Sequence, residues 1–267
     1  MIRASGVPDF SAVEFEPKRS SFCLCIPVIN EGERIRSELI RIHACEADKT
    51  TDVILCDGGS DDGSTDENFL KSYGVNTLLV KHGGGKLSAQ LRMGYWWALQ
   101  RGYAGIITVD GNNKDSVESL PLFIQKLREG YDLIQGSRYT RGGKSIRTPM
   151  ARRLASTLIH APLLSKAAGF RFTDTTNGFR GYSARYLRHP CVQPFRDVFI
   201  TYELLAYLSV RATQIGLTAC EVPVVREYPA GGKTPTKIRL LAGNFDLLRI
   251  LIKTVRGDYN PGNQSAR

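Results

Sequence analysis

The segment IITVDGNNKDSVESLP (residues 106–121) runs from an apolar, β-branched stretch into one aspartate. A glycine, two asparagines and a lysine then separate Asp110 from the next acid, Asp115. A strand that stops at a carboxylate delivers it to the edge of a sheet, where ligands of open α/β folds bind. Chemistry on a phosphorylated substrate commonly holds a divalent cation there with acids. A single acid followed by amides and a lysine is therefore the question the sequence poses.

Working outward, short apolar runs recur: SFCLCIPVI (21–29), TDVILC (51–56), VNTLLVK (75–81), AGIITVD (104–110) and YDLIQGS (131–137). Between them lie helical patterns. Ile35, Leu39, Ile42 and Cys45 have helical spacing, and the segments 86–102 and 117–130 read as helices. Strands alternating with helices imply right-handed crossovers and a mostly parallel sheet covered on both faces. The strand ends carry NE (30–31), DGGSDDGS (57–64), DGNNKD (110–115) and GSRY (136–139), which should converge at one edge.

After Arg141 the alternation breaks. A long helical pattern (148–169), a turn-rich stretch (173–187), a helix (198–216) and a strand-like run (217–225) follow. The expected organisation is a loose arm at 1–20, a first, ligand-binding half at 21–140, a second half at 141–235, and a basic amphipathic helix and tail at 236–267. In that last segment Ile238, Leu241, Phe245, Leu248, Ile252 and Val255 fall at helical spacing, with basic residues on another side. Such a helix either lies in a membrane interface or packs on its own domain.

With 267 residues, 42% of them hydrophobic and 23% charged, the chain has the composition of a globular protein with a sizeable core. Its net charge of +10 fits phosphorylated ligands, an anionic membrane or nucleic acid. The basic residues form no long run. They cluster at Arg138–Arg153, Arg171–Arg188 and Lys233–Arg256, which argues against nucleic acid. The six cysteines lack zinc-type spacing and read as reduced, mostly buried thiols of a cytoplasmic protein. Neither a leader segment nor a membrane-spanning apolar window is visible.

Asp57 ends a strand, where a carboxylate can accept from a base or ribose; Asp61, Asp62 and Ser64 read as turn or helix-cap residues. Lys86 begins a helix after three glycines, a place that attracts anions. Glu203 in FITYELL is either a general base or an acid at a helix N-terminus.

In order, the landmarks IPVINE, DGGSDDGS, GGGKLSAQLRMG, VDGNNKDSVE, LIQGSRY, RRLAS, DTTNGFR and CEVPV resemble the family 2 glycosyltransferases of the GT-A fold, in particular the dolichyl- and polyprenyl-phosphate sugar synthases. The resemblance covers about residues 22–240. It implies an α/β fold, a Rossmann-like, mostly parallel sheet flanked by helices, with an acceptor-side half. It also implies an inverting hexosyltransferase using a UDP- or GDP-hexose and Mg²⁺ or Mn²⁺. Pro27, Asn30, Glu31, Asp57 and Lys86 would line the nucleotide pocket. Asp110 would end the metal-binding D-x-D segment, Arg138 would lie near the sugar or phosphates, and Asp174 and Arg180 would belong to the acceptor side. Arg152, Ser156 and Arg180 would grip the acceptor phosphate, joined by Arg226 and Lys233 from a basic loop.

Departures from the family pattern are Gly58 in the first loop, Asn112 as the second D-x-D acid, and Lys114 nearby. An asparagine carbonyl ligates without bringing charge. Asp115 could supply the missing carboxylate, or Lys114 could meet part of the diphosphate charge. The expected acceptor is a polyprenyl phosphate, which needs no general base. The alternatives are a sugar hydroxyl of a glycan, with Asp174 or Glu203 as base, and a non-catalytic nucleotide-sugar-binding subunit. The expected location is cytoplasmic, peripheral on the cytoplasmic membrane face.

Overall fold

The computed structural model describes residues 4–230 and 242–262. Its strands are β1 (Asp9–Glu14), β2 (Phe22–Val28), β3 (Asp52–Asp57), β4 (Val75–His82), β5 (Gly105–Thr108), β6 (Leu133–Ser137), β7 (Lys144–Ile146), β8 (Arg180–Ser183), β9 (Ala219–Pro223) and β10 (Val225–Glu227). Eight form one sheet in the order β1-β4-β3-β2-β5-β8-β6-β9, while β7 and β10 make a small parallel pair. Neighbours β4, β3, β2 and β5 run parallel, as do β6 and β9. The fold is α/β, as the alternation of apolar runs and helical patterns implies.

Burial of both sheet faces explains why the central strands are apolar throughout. Along β2, Cys23 and Cys25 belong to one core, and Leu24, Ile26 and Val28 to the other. The first core packs under helices Leu87–Gln100 and Glu203–Gln214, the second under Glu33–Ala44 and Leu120–Arg128. Cys23, Cys25 and Cys56 are free, buried thiols. A Cβ at Gly94 would stand 2.5 Å from Cys56 Sγ, so small residues let this helix press closely onto the sheet.

Two segments differ from expectation. Residues 1–20 are not wholly loose, because β1 pairs antiparallel with β4 along its length. Phe10 sits edge-on to Trp96 and Trp97 at 6.0 and 6.1 Å, and Asp52 accepts from the N–H groups of Arg19 and Ser20. The turn-rich stretch 173–187 contains β8, inserted antiparallel between β5 and β6. Thus β8 and β9, from the second half of the sequence, complete the sheet begun by the first. Gly136 permits this closeness, since a Cβ there would lie 2.7 Å from the Phe179 carbonyl oxygen.

The pattern at 148–169 is helical from Met150 to Ala168, with a π-helical passage at Ala155–His160 and Pro162 in the first turn of the following segment. The last helix, Ala242–Arg256, packs on Ala161–Ala168 and Glu203–Gln214. It does so with Ile250, Leu251 and Thr254. Phe245, Leu248, Ile252 and Val255, the four residues of the apolar stripe that are described, are exposed. Ile238 and Leu241 lie outside the described residues.

Candidate functional site

The carboxyl ends of β2, β3, β5 and β6 bring Asn30 and Glu31, Asp57, Asp110 and Arg138 to one edge of the sheet. Pro27 lies buried within β2. At the β3 end, Asp57 is buried and turns inward. The N–H groups of Gly59 and Ser60 donate to it at 2.9 and 3.0 Å, and the Ser60 hydroxyl at 2.5 Å. Asn30 joins the same loop, its Oδ1 accepting from Asp61 N–H at 3.0 Å. Ser64 Oγ accepts from Glu31 and Gly32 N–H, so the first two polar edges are sewn together. Gly58 leaves room for the Gln90 side chain. A Cβ would lie 2.8 Å from Gln90 Nε2, which donates to the Val28 and Cys56 carbonyls between the two strands. Lys86 is exposed at the start of its helix, beside the open glycine loop.

The answer to the opening segment lies in its neighbours. Asn113 adopts a left-handed backbone (φ 55°), a conformation asparagine tolerates. Glu38 accepts from its N–H at 2.6 Å and Arg41 donates to its side-chain oxygen at 2.8 Å. The turn after Asp110 is therefore held by helix Glu33–Ala44. Burial pushes the pKa of the Glu38 carboxyl well up, against the pull of the Asn113 N–H. Lys114 is buried over the Tyr228 ring at 5.2 Å, and burial together with Arg226 lowers its ammonium pKa. Asp115 is 1% exposed and ion-paired with Arg226 Nη1.

Arg226 also donates through Nη2 to Asp110 Oδ2 at 3.0 Å. Burial opposes its charge, but Asp115 and Asp110 outweigh that and hold it firmly protonated. Desolvation raises Asp115 to about 6 against the pull of Arg226; the guanidinium in direct contact favours the ionised pair. Arg152 Nη1 donates to the Tyr228 hydroxyl at 3.0 Å. Hence Lys114, Arg152 and Arg226 surround one tyrosine beside Asp110.

Arg138 and Asp174 form a second, buried unit. Nε and Nη2 reach the two carboxylate oxygens at 2.6 and 3.0 Å. Burial would raise Asp174, yet the Arg138 guanidinium holds it below the usual carboxylate range. Arg138 Nη2 also donates to Thr176 Oγ1 at 2.6 Å and approaches Ser156 Oγ at 3.4 Å. Outside this unit a cleft of about 720 Å³ runs along Tyr139, Ser145, Met150, Arg153 and Leu154.

Four sequence expectations are corrected by this geometry. Asp115 does not face a metal position, because its carboxylate is buried against Arg226. Asp174 is not a free base, because Arg138 occupies both oxygens. Glu203 is the N-terminal acid of its helix, accepting from Ile200 N–H at 2.9 Å and from Thr201 N–H and hydroxyl. Arg180 is buried and donates to the carbonyls of Thr175, Asn177 and Leu205 and to Ser209 Oγ, so it ties the chain together rather than facing a phosphate. Lys233 lies outside the described residues.

Residues that sequence reasoning missed are Tyr228, Glu38 and Arg41. Tyr228 lies two residues after Arg226, the alternation that shares a strand face. Glu38 was visible as an acid on the stripe Ile35, Leu39, Ile42.

A divalent cation can be tested against this donor set. Among the described residues no three His, Cys, Asp or Glu side chains gather as metal ligands. Asp110 remains partly exposed, and Asn112 Oδ1 is a buried acceptor without a hydrogen-bond partner. One carboxylate and one amide oxygen suit a hard cation whose other ligands are diphosphate oxygens and water. The residues fit a cation that arrives with a diphosphate.

No family model matches the chain. It is 29% identical over 204 residues to an undecaprenyl-phosphate mannosyltransferase of Micrococcus luteus, covering 74% of this chain and 80% of that protein. It is 27% identical over 203 residues to a polyprenol monophosphomannose synthase of Mycolicibacterium smegmatis, covering 74% of each. A dolichyl-phosphate hexose transferase of Haloferax volcanii is 27% identical over 232 residues, covering 84% of this chain and 89% of that one. Among solved structures, glucosyl-3-phosphoglycerate synthase of Mycobacterium tuberculosis, in complex with Mn²⁺, UDP and glucosyl-3-phosphoglycerate, superposes with a TM-score of 0.61 at 17% identity, over 88% of this chain and 80% of that one. Sheet order and these comparisons show a glycosyltransferase of the GT-A fold, similar in sequence to the polyprenyl-phosphate sugar synthases and transferases.

Proposed function

We propose that the protein transfers a hexose from a UDP- or GDP-hexose to a polyprenyl phosphate, with inversion. The observation that carries this is the cationic cluster of Lys114, Arg152, Arg226 and Tyr228 beside Asp110. The anomeric carbon–oxygen bond to the diphosphate breaks, and a phosphate oxygen of the acceptor forms the new bond. The nucleoside diphosphate leaves with the electron pair, and no proton has to be removed from the acceptor. Asp174 and Glu203 are both engaged elsewhere, which supports a phosphate nucleophile over a sugar hydroxyl.

Asp110 and Asn112 would hold Mg²⁺ or Mn²⁺, which when bound neutralises charge on the leaving diphosphate. Lys114 stands ready for the same charge, and Lys86 would meet the donor at the helix start. Pro27, Asn30, Glu31 and Asp57 would shape the nucleoside pocket, with Asp57 acting through the loop it holds. Arg152 would receive the acceptor phosphate, with Ser156 behind it and the buried Arg138–Asp174 pair fixing the wall.

Exposed apolar side chains support a peripheral position on the cytoplasmic face of a membrane. Met150, Leu154 and Leu158 follow at four-residue spacing on one helix, and Phe245, Leu248 and Ile252 line another. No described helix is long and apolar enough to cross a bilayer. Incubating the protein with UDP- or GDP-hexoses and undecaprenyl phosphate, with Mg²⁺, Mn²⁺ or EDTA, tests the reading. A lipid-phosphate-linked hexose should form by mass spectrometry; transfer to glycan hydroxyls alone would sink the acceptor assignment.

A further inference from the structure

Arg226 is built into the site before any ligand arrives. β10 is stitched to residues 114–116 by backbone bonds: Glu227 N–H donates to the Lys114 carbonyl at 2.8 Å, and Ser116 N–H to the Val225 carbonyl at 2.9 Å. Ser116 Oγ accepts from Val225 N–H at 2.9 Å. That lattice fixes the guanidinium between two acids, Asp115 on Nη1 and Asp110 on Nη2. Its face lies 5.9 Å from the Tyr228 ring, and it is 7% exposed. The other oxygen of Asp110 faces Gly178, where a Cβ would approach Oδ1 to 2.3 Å. Oδ2 of Asp110 is thus already engaged in the ligand-free protein, while the side chain stays 30% exposed.

We propose that Arg226 is a resident counter-cation of Asp110, so that a divalent cation enters only together with the donor's diphosphate. The inference rests on the glycosyl-transfer reading and deepens it. An isolated cation would have to compete with a guanidinium already bonded to Asp110, with Asn112 contributing an oxygen but no charge. Its approach would also be opposed by Lys114 and Arg152, the other cations packed against Tyr228. A diphosphate reverses that balance. It brings its own oxygens to the metal and gives Lys114 and the released Nη2 of Arg226 an anion to face. Nη1 can keep Asp115 throughout, so only one hydrogen bond has to be exchanged. Asn112 then works with Arg226: it offers the cation an oxygen without adding a second fixed charge beside Asp110.

Mn²⁺ binding measured by electron paramagnetic resonance, with and without UDP or GDP, tests this directly. Wild-type protein should bind Mn²⁺ weakly alone and at least about tenfold more tightly with one of the nucleotides. Arg226→Gln should bind Mn²⁺ alone at least about tenfold more tightly than wild type, and its nucleotide dependence should shrink. Because Arg226→Gln strands the buried Asp115 charge, the double variant with Asp115→Asn is measured beside it, and circular dichroism checks that each folds. Mn²⁺ affinity unchanged in both variants would overturn the proposal, as would equal wild-type affinity with and without nucleotide. Hexose transfer is followed separately. Persisting transfer in EDTA without Mn²⁺ binding would remove the counter-cation role and leave the transfer reading standing. Tighter Mn²⁺ binding in the variants of a protein that transfers no hexose would do the reverse.

Discussion

Gly178 and Asp110 touch so closely that a methyl group at residue 178 would stand 2.3 Å from Asp110 Oδ1 and 3.2 Å from Oδ2. The glycine of the DTTNGFR segment therefore sets the position of the strand-end acid, 68 residues earlier in the chain by the difference of the two numbers. Gly178→Ala must displace that carboxylate. The expected outcome is at least about a tenfold fall in kcat/KM for hexose transfer, which is about 1.4 kcal/mol of transition-state stabilisation. Melting should change by no more than about 1–3 kcal/mol, the usual cost of overpacking. Full activity in the variant would show that Asp110 has no fixed role.

The Arg138–Asp174 pair makes a different prediction, about stability. Both side chains are almost wholly buried, so removing one leaves an uncompensated charge. Asp174→Ala should cost about 3–5 kcal/mol and lower the melting temperature by roughly 10 °C. The pH dependence follows from the depressed Asp174 pKa. Its stabilisation is fully present above the ordinary aspartate pKa of about 3.9 and is lost as pH falls through the lower folded value. Wild-type and variant melting curves should converge in acid, below about pH 4. A constant difference across that window would remove Asp174 as its source.

For Glu203 the hydrogen bonds to the loop before its helix predict a mild phenotype. Its carboxylate accepts from Ile200 and Thr201, the loop that also receives Lys86 and Ser88 N–H groups from the donor-side helix. Glu203→Ala should lose about 1.5–3 kcal/mol of stability, the usual worth of a hydrogen bond to a charged group, with Glu203→Gln recovering part of it. A general base would instead cost about 10²–10⁴ in kcat and remove one limb of the pH–rate profile. That kinetic outcome would restore the catalytic role.

What the sequence made legible follows from where information is local. The strand-end residues Asn30, Asp57, Asp110 and Arg138 were readable, because apolar runs that stop at polar residues mark strand ends directly. β8 was not, since four residues after a turn-rich stretch carry little periodic signal, and its pairing depends on the closeness allowed by Gly136. The destinations of charged side chains were equally hidden. Asp115, Asp174 and Arg180 have the residue types of a site, yet each is committed to a partner 111, 36 or 25 residues away. Nothing in their spacing distinguishes an ion pair from a ligand contact. Conversely, Glu38 stands out in the sequence as an acid on a buried stripe, but its partner, the Asn113 N–H, lies 75 residues away.

The exposed apolar helices yield the last prediction. Leu158 is 68% and Phe245 73% exposed, on helices that pack against each other, with exposed Arg153, Arg249 and Arg256 among them. Apolar side chains ringed by cations fit an anionic lipid surface, where the rings and branches enter the interface and the arginines meet headgroups. Vesicles rich in phosphatidylglycerol should therefore co-sediment the protein, and phosphatidylcholine vesicles much less. Raising salt should weaken binding, because surface charge is screened within about 10 Å at 0.1 M. Each buried apolar side chain contributes about 1.5–3 kcal/mol, so Leu158→Ser with Phe245→Ser should reduce partitioning at least tenfold. Neither residue contacts the Asp110 cluster, so transfer to a short, water-soluble prenyl phosphate should continue in the double variant. Unchanged sedimentation of that variant would mean that the apolar stripes serve some other contact.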